Sequence, residues 1–223
     1  VTTIAVIQPY FVPYAGYFRL FARADVVVMF DCVQFPRRGW VHRNRFETPA
    51  HELDWLTLPL EKCDRDTRIT DLRFVPDAAA RLTAAIGRFP LLRRAHTERH
   101  PWMERVLDLG TDTTTYLCEL VATIAANLKY RTPMVRSSTL DVAPELKAQD
   151  RVLAIVERLG GTRYVNPPGG RELYDASTFA KHGVDLRFLP PYGAAYDSIL
   201  ARLVTGEIAA LRAEIEREAL LVA

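Results

Sequence analysis

The chain has 223 residues, 49% hydrophobic and 25% charged, which excludes a disordered or low-complexity polymer and suits one large domain, or a domain with an insertion. A formal net charge of only +2 gives no global field for nucleic acid, and the three cysteines (Cys32, Cys63, Cys118) fit neither a zinc site nor a disulfide framework. No apolar run approaches the ~18 residues of a membrane span, and the opening VTTIAVIQP lacks a signal-peptide pattern, so a cytoplasmic setting is expected.

Ile4 to Ile7 is a short apolar run ending at Gln8-Pro9 and reads as a buried strand. Gly16 to Arg23 carries Phe18, Leu20 and Phe21 at near-helical spacing, and Asp25 leads into VVVMF, a second buried strand. A strand–helix–strand unit predicts a parallel sheet with crossover helices. Trp55 to Leu58 and Ile69 to Phe74 read as two further strands. Asp77 to Phe89, Trp102 to Leu109 and Thr113 to Tyr130 have apolar residues at three-and-four spacing, interrupted by Pro90 and Pro101. They predict a helical insertion over 77–130 within a single α/β domain of 1–223. The α/β rhythm returns with a strand at Met134-Val135, a helix over Lys147 to Leu159 capped by Gly160-Gly161, and a strand at Arg163 to Val165. A helix over Asp175 to His182 stopped by Gly183, a strand at Val184 to Leu189, and a helix over Ser198 to Leu221 broken near Gly206 complete it.

Ligands of open α/β sheets bind past the carboxyl ends of the strands, so the loops there are the candidate site. After the first strand come Gln8, Tyr10, Tyr14, Gly16 and Tyr17, in a loop stiffened by Pro9 and Pro13. Gly16 lets backbone approach a ligand or the next element closely, and the following helix points its first amides toward the cleft, which suits phosphate or carboxylate. After the second strand comes DCVQFPRRGWVHRNRF, with Asp31 at the strand end. Arg37, Arg38, Arg43 and Arg45 follow, with no acid among them and Trp40 interleaved. Guanidinium forks bind phosphate or carboxylate bidentately. On a strand, alternation puts Arg43 and Arg45 on one face and Asn44 on the other. Ser137 and Ser138 in MVRSSTL offer hydroxyls and turn amides to a phosphate. Asn166, Gly169 and Gly170 in YVNPPGGRELYD shape a fourth loop, with the glycines as a candidate amide nest for an anion. No dinucleotide loop, P-loop or nucleophile elbow is present, and the histidines show no metal-ligand spacing.

Taken in order, QPYFVPYAGYF, DCVQFPRRGWVHRNR, RHPWM, VRSSTL, YVNPPGGRELYD and SILARLVTGEI resemble the WbqC-like protein family over nearly the whole chain. One departure is visible: Asn166-Pro167-Pro168 stands where Ser-Gly-Pro or similar is expected. The resemblance implies a bacterial protein of surface-polysaccharide or natural-product gene clusters, whose members are described as glycine transferases or are uncharacterised. A weaker similarity, to the nucleotidyltransferase superfamily, rests on the Pro-rich first loop, the Gly-aromatic pair and the late Ser-Ser-Thr loop. There, Tyr14-Ala15-Gly16-Tyr17 stands where that superfamily has His-x-Gly-His.

These readings combine into an expected open, mainly parallel α/β sheet of nucleotidyltransferase-like Rossmannoid type with a helical insertion. The expected activity is a small-group transferase or amide-forming ligase, acyl, aminoacyl or glycyl, acting on an amino sugar or natural-product amine. Asp31 and Arg43 are the candidate catalytic residues. ATP or another nucleotide with Mg2+ is the candidate cofactor, a small-molecule donor and an amine acceptor are the partners, and a homo-oligomer is compatible with the sequence. Nucleotidyl transfer to a sugar phosphate and a non-catalytic nucleotide- or RNA-binding module are the rival readings.

Overall fold

A computed structural model of the chain describes residues 1–221. In chain order it builds β1 (Thr3–Ile7), α1 (Arg19–Arg23), β2 (Val26–Met29), β3 (Arg43–Glu47) and β4 (Leu53–Thr57). Four helices follow: α2 (Ala78–Ile86), α3 (Pro90–Thr97), α4 (Pro101–Leu107) and α5 (Thr113–Asn127). Then come β5 (Met134–Arg136), α6 (Ala148–Arg158), β6 (Arg163–Asn166), α7 (Ala176–Lys181), β7 (Asp185–Phe188), α8 (Ile199–Thr205) and α9 (Ile208–Arg217).

Five strands form one sheet in the order β5-β2-β1-β6-β7, and every pairing is parallel. β1 sits in the middle, and its TIAVI run is buried on both faces, as a central parallel strand requires. Alternation along β1 and β2 feeds two cores. Ile4, Val6 and Val28 pack with Val152, Ile155 and Phe179 of α6 and α7 on one face. Ala5, Val27 and Met29 pack on the other face with Leu20 and Phe21 of α1, Leu117 and Val121 of α5, and Leu211 and Ile215 of α9. The chain runs outward from β1 to β2 and β5, then crosses back to β6 and β7. The direction of winding therefore reverses between β1 and β6, the kind of crevice at which doubly wound sheets bind ligands.

Between β2 and β5 lie the antiparallel β3–β4 hairpin and α2 to α5. Leu82, Leu92, Trp102 and Leu120 of these helices share the core of the sheet's α1 face.

Two local readings of the sequence are corrected. Ile69 to Phe74 is not a strand: the chain makes a single 3-10 turn at Ile69–Asp71, flanked by the isolated bridges Gln34 to Arg68 and Leu60 to Phe74. Its amides are taken one at a time by the loop after β2, Ile69 N–H by the Val33 carbonyl and Thr70 N–H by the Asp31 carbonyl. Pro90 and Pro101 open helices rather than merely interrupting them. Each occupies a first-turn position, where a missing N–H leaves no intrahelical bond unmade. As a result Pro90–Thr97 is a helix that the apolar spacing did not disclose. The C-terminal helix divides into α8 and α9 at Gly206, where the sequence places the break.

Candidate functional site

Asp31 leaves the end of β2 and is fully buried. Its carboxylate accepts four hydrogen bonds. Ser137 Oγ (2.9 Å) and Ser138 N–H (2.8 Å) reach Oδ1, while Arg136 Nε (2.7 Å) and Ser138 Oγ (2.7 Å) reach Oδ2. A carboxylate offers about four lone-pair sites, so this one is saturated. It ties the exit of β2 to the exit of β5. The pairing arginine is Arg136, not one of the four in the Arg37–Arg45 segment. Asp31 therefore has no lone pair free for an incoming amine or for Mg2+, and the donor set does not fit the expected base or metal ligand. Among the described residues no group of three or more His, Cys, Asp or Glu side chains is arranged to hold a metal. Ser137 and Ser138 direct their donors at Asp31, so the expected phosphate grip is absent there as well. Cys32 lies beside this cluster, its Sγ accepting from Arg151 Nε at 3.1 Å.

The hairpin is built differently. Arg43 pairs with Thr57 and Arg45 with Trp55 across β3–β4, which places both guanidinium groups on one face. The Arg43 guanidinium lies 4.1 Å from the Trp55 ring centre, and that of Arg45 lies 5.6 Å from both Trp40 and Trp55. Trp40 and Trp55 stand 5.3 Å apart. Such contacts hold a guanidinium in place without neutralising it. Among the described residues, Arg37, Arg38, Arg43 and Arg45 form no ion pair. The four do not act as one cluster. Arg37 turns away to the Cys63 carbonyl. Arg38 is exposed and contributes its carbonyl to Arg43.

Arg45 also lines a cavity of about 670 Å3 between the hairpin, the start of α3 and the approach to α8. That volume suits a small molecule. Leu53, Leu91 and Tyr196 supply apolar wall, and Glu47, His51 and Asp197 supply polar edges. His51 Nδ1 is hydrogen-bonded to Glu47 Oε1.

The first loop buttresses this cavity. Val12 has φ +41°, a left-handed conformation that a β-branched residue adopts only under constraint. Its carbonyl accepts from Asn44 Nδ2 at 2.6 Å and from Ser198 Oγ at 2.8 Å. Asn44 also reaches the Phe11 carbonyl, and Phe11 N–H donates to the Trp40 carbonyl. One turn thus joins β3 to the N-cap of α8, and both elements contribute cavity wall. Tyr14 stacks against Tyr192 and Tyr196 at 5.7 and 4.8 Å, and burial pushes its phenol up to about 12. Gly16 is required by these rings: a Cβ there would stand 2.5 Å from Tyr14 and 2.6 Å from Tyr192. Its close approach is to these rings, one in its own loop and one beyond β7, not to a ligand. Tyr17 is buried and donates to the Gln8 carbonyl, and Tyr10 leans on Tyr17 at 5.5 Å. The helix that begins near Ala15 starts as a buried 3-10 turn, so its amides do not open onto solvent.

The fourth loop is also closed. Residues Pro168–Leu173 form a 3-10 helix, and Gly170 N–H is taken by the Pro167 carbonyl. Neither Gly169 nor Gly170 has positive φ, so the alternating conformation of an amide nest is absent. Gly170 is needed because the Asn166 amide packs where its Cβ would be, at 1.7 Å.

Asp31 joins the second loop to the third, and Asn44 joins the hairpin to the first. Sequence reasoning did not single out Arg136, Trp55, Ser198 or Tyr196. Arg136 adjoins Ser137 in a segment read for its hydroxyls, and Trp55 lies opposite Arg45 only once the hairpin register is known.

The WbqC-like family model matches residues 8–202, which takes in all of these elements from the first loop to α8. The chain belongs to the WbqC-like protein family. It is 25% identical over 182 residues to the uncharacterized protein Rv1507c of Mycobacterium tuberculosis, covering 79% of this chain and 77% of that one. No solved structure matches. Among the described residues of this family member, no helix is long and apolar enough to cross a membrane.

Proposed function

We propose that the protein is an enzyme that transfers an acyl or aminoacyl group, glycyl being the simplest, to the amine of an amino sugar or natural-product intermediate in bacterial polysaccharide or secondary-metabolite assembly. The observation that carries this reading is Arg45: an unneutralised guanidinium held against two indoles, on a residue of the wall of a cavity of about 670 Å3. A carboxylate or a phosphate-bearing leaving group is the complementary ligand.

In the proposed reaction the donor carboxylate first attacks a phosphorus of ATP, forming the acyl–phosphate bond as a phosphoanhydride bond breaks and ADP or pyrophosphate leaves. The amine nitrogen then attacks the carbonyl carbon of this activated donor. The new C–N bond forms, the bond to the phosphate leaving group breaks, and nitrogen loses a proton. Arg45, with Arg43 beside it, holds the anionic end of the donor and the charge that grows on the leaving group. Tyr196 and Leu91 exclude water from the apolar part of the cavity. The Glu47–His51 pair takes the proton, with Glu47 fixing the tautomer in which Nε2 is the free acceptor. Holding a neutral amine against the carbonyl contributes much of the rate.

The strand order supports a second reading. Reversal between β1 and β6 is the arrangement of nucleotide-binding doubly wound sheets, with Gln8 and Asn166 at its edge, which favours nucleotidyl transfer to a sugar phosphate. One experiment separates them. The full chain is incubated with glycine, ATP and a panel of nucleotide-linked amino sugars, and in parallel with nucleoside triphosphates and sugar phosphates, and products are read by mass spectrometry. Amide formation predicts a mass gain of one glycyl residue, lost about 100-fold in Arg45→Gln with the melting temperature held. Formation of a nucleotide sugar from nucleoside triphosphate and sugar phosphate favours the second reading. Neither product, together with unchanged ligand binding by Arg45→Gln, removes the proposal.

A further inference from the structure

A second cavity, of about 610 Å3, lies at the other end of the sheet. Arg23 and Arg131–Thr132 precede the starts of β2 and β5, whereas Asp31 and Ser137 follow their ends. One strand length, about 13 Å for four residues, separates the two edges. The wall of this cavity carries Arg23, Lys129, Arg131 and Arg212 against a single carboxylate, Glu216. Glu216 is engaged by Arg212 Nε at 2.7 Å. Among the described residues, Arg23, Lys129 and Arg131 have no acidic partner.

A second observation points the same way. Tyr130 also lines this cavity, it is only 7% exposed, and its hydroxyl has no hydrogen-bond partner. Buried hydroxyls are rarely left so, because the missing bond costs stability. The phenol lies in the field of Glu216, Arg212 and Arg23, all of which line the same cavity. Burial raises its pKa to about 12, so it stays protonated and can donate. The Arg212 guanidinium stands 5.0 Å from its ring centre. Lys129 holds φ +63°, a conformation unusual for a lysine, and its carbonyl accepts from Arg212 Nη1 at 3.1 Å.

We propose that this cavity is a second ligand site, for a phosphoryl group of a small soluble molecule, gripped by Lys129, Arg131 and Arg23 and by the Tyr130 hydroxyl. A diphosphate supplies acceptor oxygens for several cations at once. The lone carboxylate, already paired with Arg212, leaves the site electropositive. The site is independent of the transfer chemistry at the hairpin and stands if that reading fails.

Calorimetry of the full chain with inorganic pyrophosphate at low salt tests it. The wild type is expected to show saturable binding that weakens as salt rises. Lys129→Gln with Arg131→Gln should weaken binding at least about tenfold. Tyr130→Phe should weaken it several-fold while the unliganded protein melts no lower than wild type, because the hydroxyl removed had no partner. Arg45→Gln should leave in place the component of binding that the double substitution removes. Absence of saturable binding overturns the proposal, as does binding indifferent to the double substitution or binding that disappears with Arg45→Gln. Because a lipid headgroup presents the same chemistry, sedimentation with phosphatidylglycerol vesicles forms the second arm. Pelleting that pyrophosphate competes away and the double variant loses assigns a membrane source and overturns the soluble one; no pelleting supports the soluble source.

Discussion

The Asp31 cluster and the Arg43–Arg45 face stand close in sequence, both contain arginine, and they are built to opposite ends. At Asp31 every lone pair meets a donor, and the carboxylate is wholly buried. On the hairpin the guanidinium groups touch indole faces and carbonyls, no carboxylate neutralises them, and Arg45 borders open volume. The first arrangement holds strands together. The second leaves charge without a neutralising partner. A charged residue at a strand end is thus no guide to chemistry until its partners are known.

The widest break between the two regions is in stability. Removing one member of a buried ion pair typically costs 3–5 kcal/mol. Asp31→Ala leaves Arg136 and three hydroxyl or amide donors without an acceptor, so a loss of about 4 kcal/mol is expected. Asp31→Asn keeps the shape but turns one end into a donor facing donors, and a loss of about 2 kcal/mol is expected. Arg45→Gln, by contrast, should cost about 0.5 kcal/mol or less. Urea midpoints measure all three. Asp31→Asn with wild-type stability would show that the four-bond cluster does not hold the strand ends.

The reach of sequence reasoning divides along the same line. β1 and β2 were legible because strands buried in a parallel sheet are continuous apolar runs, and the edge strand β7 through its alternation, with Leu186 and Phe188 buried and Asp185 and Arg187 partly exposed. The ends of α6 and α7 were legible at Gly160 and Gly183, which take φ +65° and +72°. The helix opened by Pro90 was not, since a proline that opens a helix reads in sequence like one that breaks it. In the site, the shared face of Arg43 and Arg45 follows from strand alternation alone. The partner of Asp31 does not: Arg136 lies 105 residues away, and only the sheet order β5-β2 brings it there. The closed state of the Gly169-Gly170 turn depends on the side chain of Asn166, which no local rule of turns discloses.

A smaller effect sharpens how the hairpin is kept in place. Asn44 bonds the Phe11 and Val12 carbonyls, and Ser198 bonds the same Val12 carbonyl. Asn44→Ala leaves buried carbonyls without donors and releases the left-handed turn at Val12, so a loss of about 2 kcal/mol is expected, with weaker ligand binding at the cavity. Ser198→Ala should cost about 1 kcal/mol. Because the two donors share one acceptor, the double variant should depart from the sum by at least about 0.5 kcal/mol. Strict additivity in denaturant midpoints would mean that the turn is not the shared support of β3 and α8.

The smallest effect concerns acid. His42 precedes Arg43, packs edge-on to Phe35 at 4.9 Å, and has a buried Nδ1 with no partner. Burial first, and then the Arg43 charge, lower its pKa to about 4. In the unfolded chain the ring titrates near ~6.5. Between those values the unfolded state binds a proton that the folded state refuses, so stability is complete above about pH 6.5 and falls as pH drops toward about 4. Solvent reaches part of the ring, which reduces the expected loss to about 1 kcal/mol. Denaturant midpoints between pH 7 and pH 5 should show it, His42→Phe should flatten the slope, and Arg43→Gln should make it shallower. If the loss belongs to the hairpin it must persist in Asp31→Asn, whose cluster lies outside the field that His42 senses. An NMR titration of His42 with an ordinary midpoint would refute the assignment, and would show the ring to be better hydrated than its packing against Phe35 implies.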